Sequence, residues 1–168
     1  YSGDVVSAGT ASSTASSCGS AAGTSTVGIF AIAYAGGFCA ARQKYTYSSC
    51  VVTAGGAATF ASYGGSATGN STFGIFTLGL NSSFIRTTTR NKYTYSGCVV
   101  SAGGAATTAS FQGSAAGNST VGIFALGYSC CSGALTTRNK YTYSGDVVAA
   151  GGAATVASRL GSAAGNST

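Results

Sequence analysis

The sequence predicts an all-β fold built from repeated units of four antiparallel strands. Three observations point there. The string Lys-Tyr-Thr-Tyr-Ser occurs at Lys44–Ser48, Lys92–Ser96 and Lys140–Ser144, a period of 48 residues, and a fixed period of this size marks a repeat architecture. The apolar runs are short and bounded by Gly, Ser, Thr or Asn, as strands require. Charged residues make up 6% of the chain and apolar residues 45%. That balance is the opposite of a disordered chain, so most of the polypeptide should be buried.

The repeat divides into two halves. One half spans residues 1–26 and recurs at 47–72, 95–120 and 143–168. The other spans 27–46, 73–94 and 121–142, the first copy being two residues shorter. The chain therefore reads as a single repeat domain, 1–168, with a half-unit 1–26 followed by repeats 27–72, 73–120 and 121–168. In the last repeat, Val121–Gly127 is a short apolar run that fits a strand buried on both faces. Thr136–Tyr143 alternates, placing Tyr141 and Tyr143 on one face and Lys140 and Thr142 on the other. Asp146-Val147-Val148 follows a Ser-Gly turn with β-branched residues. Gly151-Gly152 breaks the run. Ala153–Ser158 and Gly161–Ala164 are small-residue segments, too short and too glycine-flanked for helix. Gly165-Asn166-Ser167 reads as a tight turn.

Four short strands in 48 residues is the complement of one β-propeller blade. A four-stranded sheet with two apolar faces cannot bury both alone, and stacking on like sheets covers each. Abundant Ala and Gly would let neighbouring sheets approach closely where they converge. The repeat resembles a kelch-type blade. Gly113–Asn118 is similar to the small-residue strand of that pattern, Ile123-Phe124-Ala125-Leu126-Gly127 to its apolar strand, and Arg138–Tyr143 to its tyrosine-bearing strand. The double glycine of the kelch pattern is kept only as Gly36-Gly37, and its Trp is absent. The string Thr-Thr-Arg-Asn-Lys-Tyr-Thr-Tyr-Ser also resembles repeats of uncharacterised prokaryotic and phage-associated proteins. The resemblance implies a section of a β-propeller of about three and a half repeats, and a β-solenoid is the alternative architecture.

Little in the chain points to catalysis. There is no His, so a nucleophile triad lacks its usual base. Six cysteines occur without a CxxC pair, which gives no zinc pattern. They read as small buried apolar side chains rather than as bridges. Asp4 and Asp146 occupy one repeat position and read as turn residues. The glycine-rich stretches match no phosphate loop. No metal, cofactor or enzymatic activity is expected. Tyr1-Ser2-Gly3-Asp4 has no signal-peptide features, and no apolar stretch is long enough for a membrane-spanning helix. The sequons at Asn70, Asn81, Asn118 and Asn166 read as turn asparagines.

The candidate binding residues obey the repeat. Eight basic against two acidic residues give a net charge of +6. Arg42, Arg90 and Arg138 are equivalent, as are Lys44, Lys92 and Lys140, so they should form two parallel basic rows. Such rows either present an anion-binding face or protect strand edges against aggregation. Tyr45, Tyr93 and Tyr141, each followed two residues later by a second Tyr, either pack between repeats or offer aromatic faces to sugar rings. The expected function is a non-enzymatic repeat scaffold for protein association or self-association, with a multivalent carbohydrate-binding module as the alternative. Nucleic acid and membrane partners are not expected.

Overall fold

The computed structural model describes residues 9–130 and 132–165. Asp4, Cys131 and the Asn166 and Ser167 of the expected turn and last sequon lie outside them. The strands in chain order are β1 Ser20–Gly23, β2 Val27–Ala31, β3 Arg42–Thr46, β4 Val51–Ala54, β5 Ser62–Tyr63, β6 Ala67–Gly69, β7 Phe73–Thr77, β8 Leu80–Asn81, β9 Arg90–Thr94, β10 Val99–Gly103, β11 Ser114–Gly117, β12 Val121–Ala125, β13 Tyr128–Ser129, β14 Gly133–Ala134, β15 Arg138–Thr142 and β16 Val147–Ala150. They form three four-stranded antiparallel meanders: sheet I from β1–β4, sheet II from β6, β7, β9 and β10, and sheet III from β11, β12, β15 and β16. The fold is all-β, as the sequence predicts, with one four-stranded sheet per 48-residue period, each taking its first strand from just before a repeat boundary. No closed ring or barrel forms among the described residues, and no helix there is long and apolar enough to cross a membrane.

Hydrogen-bond ladders run within each sheet, and the sheets stack on one another through side chains. The register gives every sheet two unlike faces. In sheet II, Ile75 lies opposite Lys92 and Thr77 opposite Arg90 on one face, while Phe76 lies opposite Asn91 and Gly74 opposite Tyr93 on the other. Sheet III repeats this with Ile123–Lys140, Ala125–Arg138, Phe124–Asn139 and Gly122–Tyr141. Sheet I does so with Ile29–Lys44, Ala31–Arg42, Phe30–Gln43 and Gly28–Tyr45. The expected split of Tyr141 from Lys140 follows from the pleat.

Two cores result, one per junction. Ala22 and Ile29 of sheet I meet Phe76, Tyr93 and Tyr95 of sheet II. Ile75 of sheet II meets Phe124, Tyr141 and Tyr143 of sheet III. The first strands converge: β1 lies against β6 and β7, and β6 against β11 and β12. Glycine is required at this convergence. A Cβ on Gly122 would come within 2.5 Å of the Thr68 methyl of the sheet before it, well inside van der Waals contact.

The long loops of the repeat add a feature that periodicity did not reveal. β5 pairs with β8, and β13 with β14. Isolated bridges such as Phe111–Tyr128 continue the pattern. Aromatic side chains line this margin, with Phe38 against Tyr34, Tyr63 and Phe84.

Candidate functional site

The repeated basic and aromatic residues meet at the junctions between sheets. Arg42 reaches from β3 to sheet II. Its Nη2 donates to Asn91 Oδ1 at 3.2 Å and its Nη1 to the Gly56 carbonyl at 3.3 Å. Its guanidinium carbon lies 4.6 Å from the Phe76 ring centre and 5.9 Å from that of Tyr93. Arg90 makes the same set one repeat on: Asn139 Oδ1 at 3.0 Å, the Gly104 carbonyl at 3.2 Å, Phe124 at 4.5 Å and Tyr141 at 5.7 Å. Each asparagine is held in turn by a threonine of the preceding half-unit. Thr107 N donates to Asn139 Oδ1 and Asn139 Nδ2 donates to Thr107 Oγ1, and Thr59 serves Asn91 likewise. Two rings and two carbonyl-type acceptors surround each cation, which offsets much of the cost of burying it without a counter-ion.

Arg42 and Arg90 are 2% and 0% exposed, so the expected exposed row of arginines is corrected. Nor do they guard an edge, because β3 and β9 are paired on both sides. Desolvation lowers both guanidinium pKa values to about 10, which leaves them charged at neutral pH. Arg138 is the exception. It is half-buried and keeps only the bond to its own trailing loop, Nη1 to the Gly152 carbonyl at 3.5 Å.

The lysines lie on the same face but nearer the turns. Lys92 pairs with Asp146 at 3.0 Å, the one ion pair among the described residues, and also sits 4.1 Å from the centre of the Phe73 ring. Asp146 further accepts from the Tyr141 hydroxyl at 2.6 Å. The position of Asp146 is Cys98 one repeat earlier, so Lys44 has no carboxylate there. Lys140 is exposed.

Tyr93 and Tyr141 are fully buried, Tyr95 and Tyr143 nearly so. Burial pushes Tyr93 up to about 12. Burial also raises Tyr95, Tyr143 and Tyr141, with the Asp146 hydrogen bond adding to the last. These four pack between sheets. Tyr45 alone of the three candidate tyrosines reaches open space. It lines a cleft of about 560 Å³ over sheet I, with Phe30, Gln43, Tyr47, Ile32 and Thr10.

Cys18, Cys50 and Cys130 are exposed, which corrects the expected burial of the cysteines, and Cys18, Cys39, Cys50 and Cys98 form no disulfide. Cys50, Cys98 and Asp146 all have positive φ, so turn geometry rather than packing places them. Asn70, Asn81 and Asn118 each accept two backbone N–H bonds through the side-chain oxygen, the turn role read from the sequence. Residues that the sequence reading missed are Phe76, Phe124, Asn91 and Asn139. Their signal was the pairing of Arg with an Asn 49 residues on, one more than the period. No family model matches the chain, and no curated protein matches it.

Proposed function

We propose that the chain is a non-enzymatic repeat scaffold that mediates protein association, built of propeller-like blades. One observation carries the reading: every sheet has an arginine face and a ring–carboxamide face, and at both junctions the first fits the second. A scaffold of this kind holds partners through the same contacts that hold its own repeats, and among the described residues such contacts are unfilled on the open face of sheet I. The blade is favoured over the solenoid because the large sheets are separate four-stranded meanders, each contained in one 48-residue period. The kelch resemblance and the convergence of β1, β6 and β11 agree with blades around an axis.

Carbohydrate binding is the second reading, and one observation favours it: Tyr45 and Tyr47 line an open cleft. It becomes a single site, because the equivalent tyrosines are covered. A displayed random-peptide library and a glycan array, both screened against the folded chain, separate the two. Enriched peptides whose capture fails in Phe30→Ala support the scaffold. A retained glycan that is lost in Tyr45→Ala supports the sugar site. A chain that takes neither overturns both.

A further inference from the structure

We infer that the cleft over sheet I is a binding site for the arginine side chain of a partner polypeptide. The inference rests on the scaffold reading and names the chemistry its open face takes.

The cleft is the third copy of a cradle that is filled twice elsewhere in the molecule. Phe30 stands where Phe76 and Phe124 stand, and Tyr45 where Tyr93 and Tyr141 stand. Gln43 replaces Asn91 and Asn139 with the same amide group one methylene further out. Thr10 is the repeat equivalent of Gly56 and Gly104, whose carbonyls receive the second guanidinium nitrogen. All four residues line the cleft. Gln43 is 8% exposed and is fixed as the asparagines are: Ser12 Oγ donates to its Oε1 at 2.8 Å, and its Nε2 donates to Ser13, the counterpart of Thr59. The rings and the amide therefore occupy the register positions that hold Arg42 and Arg90, and they face open volume.

The chemistry selects arginine. Stacked rings and carbonyl-type acceptors suit a planar, weakly hydrated cation with several donors, and a compact, strongly hydrated ammonium less well. A second copy of the chain is a poor donor. Its Arg138 arrives with residues 151–165, which are the repeat equivalents of residues 9–23, so the two segments would compete for one volume beside the cradle. The occupant is thus an arginine presented without that trailing segment.

The test is an NMR titration of the full chain with acetyl-arginine amide, and with its lysine and citrulline counterparts, following the Phe30 and Tyr45 ring signals. Saturable shifts with arginine, about tenfold weaker with citrulline, are expected; loss of the cation–π term in Phe30→Ala should weaken binding by about the same factor. Phe30 is 43% exposed, so this variant should keep the fold. Gln43→Glu keeps an acceptor for Ser12 and adds a charge-assisted bond, and should tighten arginine binding about tenfold. Equal response to lysine and arginine, or no saturable shift, overturns the inference. So does association of the parent chain with itself that Arg138→Ala alone abolishes. Peptides without arginine that still need Phe30 would leave the scaffold standing and remove only the arginine assignment.

Discussion

The ring–carboxamide face appears three times in the molecule, twice covered and once open, in nearly the same sequence. Phe76 and Phe124 are 1% and 0% exposed, but Phe30 is 43% exposed. Tyr95 and Tyr143 are 5% and 3% exposed, but Tyr47 is 44% exposed. The strands that carry or directly precede these residues are equal in length and register, so the difference lies in the neighbour. A repeat here does not own a core. It owns two half-cores, each completed by the next sheet, which is why apolar content is high and yet no single repeat can bury it.

Several substitutions would break or sharpen this comparison. The largest effect is expected from Arg90→Ala, which empties a buried cradle and strips Asn139 and the Gly104 carbonyl of a donor. A loss of about 3 kcal/mol is expected. Arg138→Ala, with neither ring nor asparagine across from it, should cost below about 0.5 kcal/mol. Urea denaturation of the two variants side by side measures both; equal losses would mean that the junction is not what holds the arginine.

The glycines give a second matched pair. Gly122→Ala forces a Cβ against the buried Thr68 and should cost about 2 kcal/mol through overpacking. Gly28→Ala meets only the far ends of the exposed Tyr47 and Phe30 side chains and should cost below about 1 kcal/mol. Melting temperatures that fall equally would show that sheet I is covered in solution.

Alkali tests the covered tyrosines as a group. Tyr93, Tyr95, Tyr141 and Tyr143 have folded-state pKa values above the ordinary 10, Tyr93 at about 12. Their contribution is fully present below pH 10, where both states are neutral. It is lost as pH rises from 10 through 12, because only the unfolded chain ionises there. Arg42 and Arg90, shifted down, oppose this in the same range but are fewer. Tyrosine absorbance and circular dichroism should therefore change together between pH 10 and 12. Ionisation of all ten tyrosines near pH 10 with the fold intact would contradict the burial.

A single added charge separates the two junctions from each other. The junction between sheets II and III has the Lys92–Asp146 pair, and the one between I and II has Cys98 in its place. Cys98→Asp should give Lys44 a partner and stabilise by about 0.5–1 kcal/mol at low salt, fading as salt rises. The positive φ at this turn suits Asp in its third occurrence already. No gain at low salt would show that Lys44 does not reach that turn.

Much of this was legible in the sequence, and the boundary of legibility is physical. The period, the four strands and the alternation of Tyr141 with Lys140 follow from local spacing and turn residues. Asn70 and Asn118 could be read as turn residues because their bonds close within three residues. The fate of Arg42 and Arg90 could not be read that way. Charge alone argues for exposure, and only the stacking of a second sheet brings Phe76 and Asn91 beneath the guanidinium. The cleft was invisible for the same reason: its Phe30 and Tyr45 have counterparts in every repeat, and what distinguishes them is that no other described sheet packs on this face.

The unlike faces of each sheet have a geometric consequence. Because Arg42, Arg90 and Arg138 lie on the same face of their sheets, the stack is a vector. Two such stacks cannot meet arginine end to arginine end without cation repulsion, nor ring end to ring end without leaving two cradles vacant. Any extension of the array, by further repeats or by a partner, must therefore be polar, with one end that only gives a guanidinium and another that only receives one.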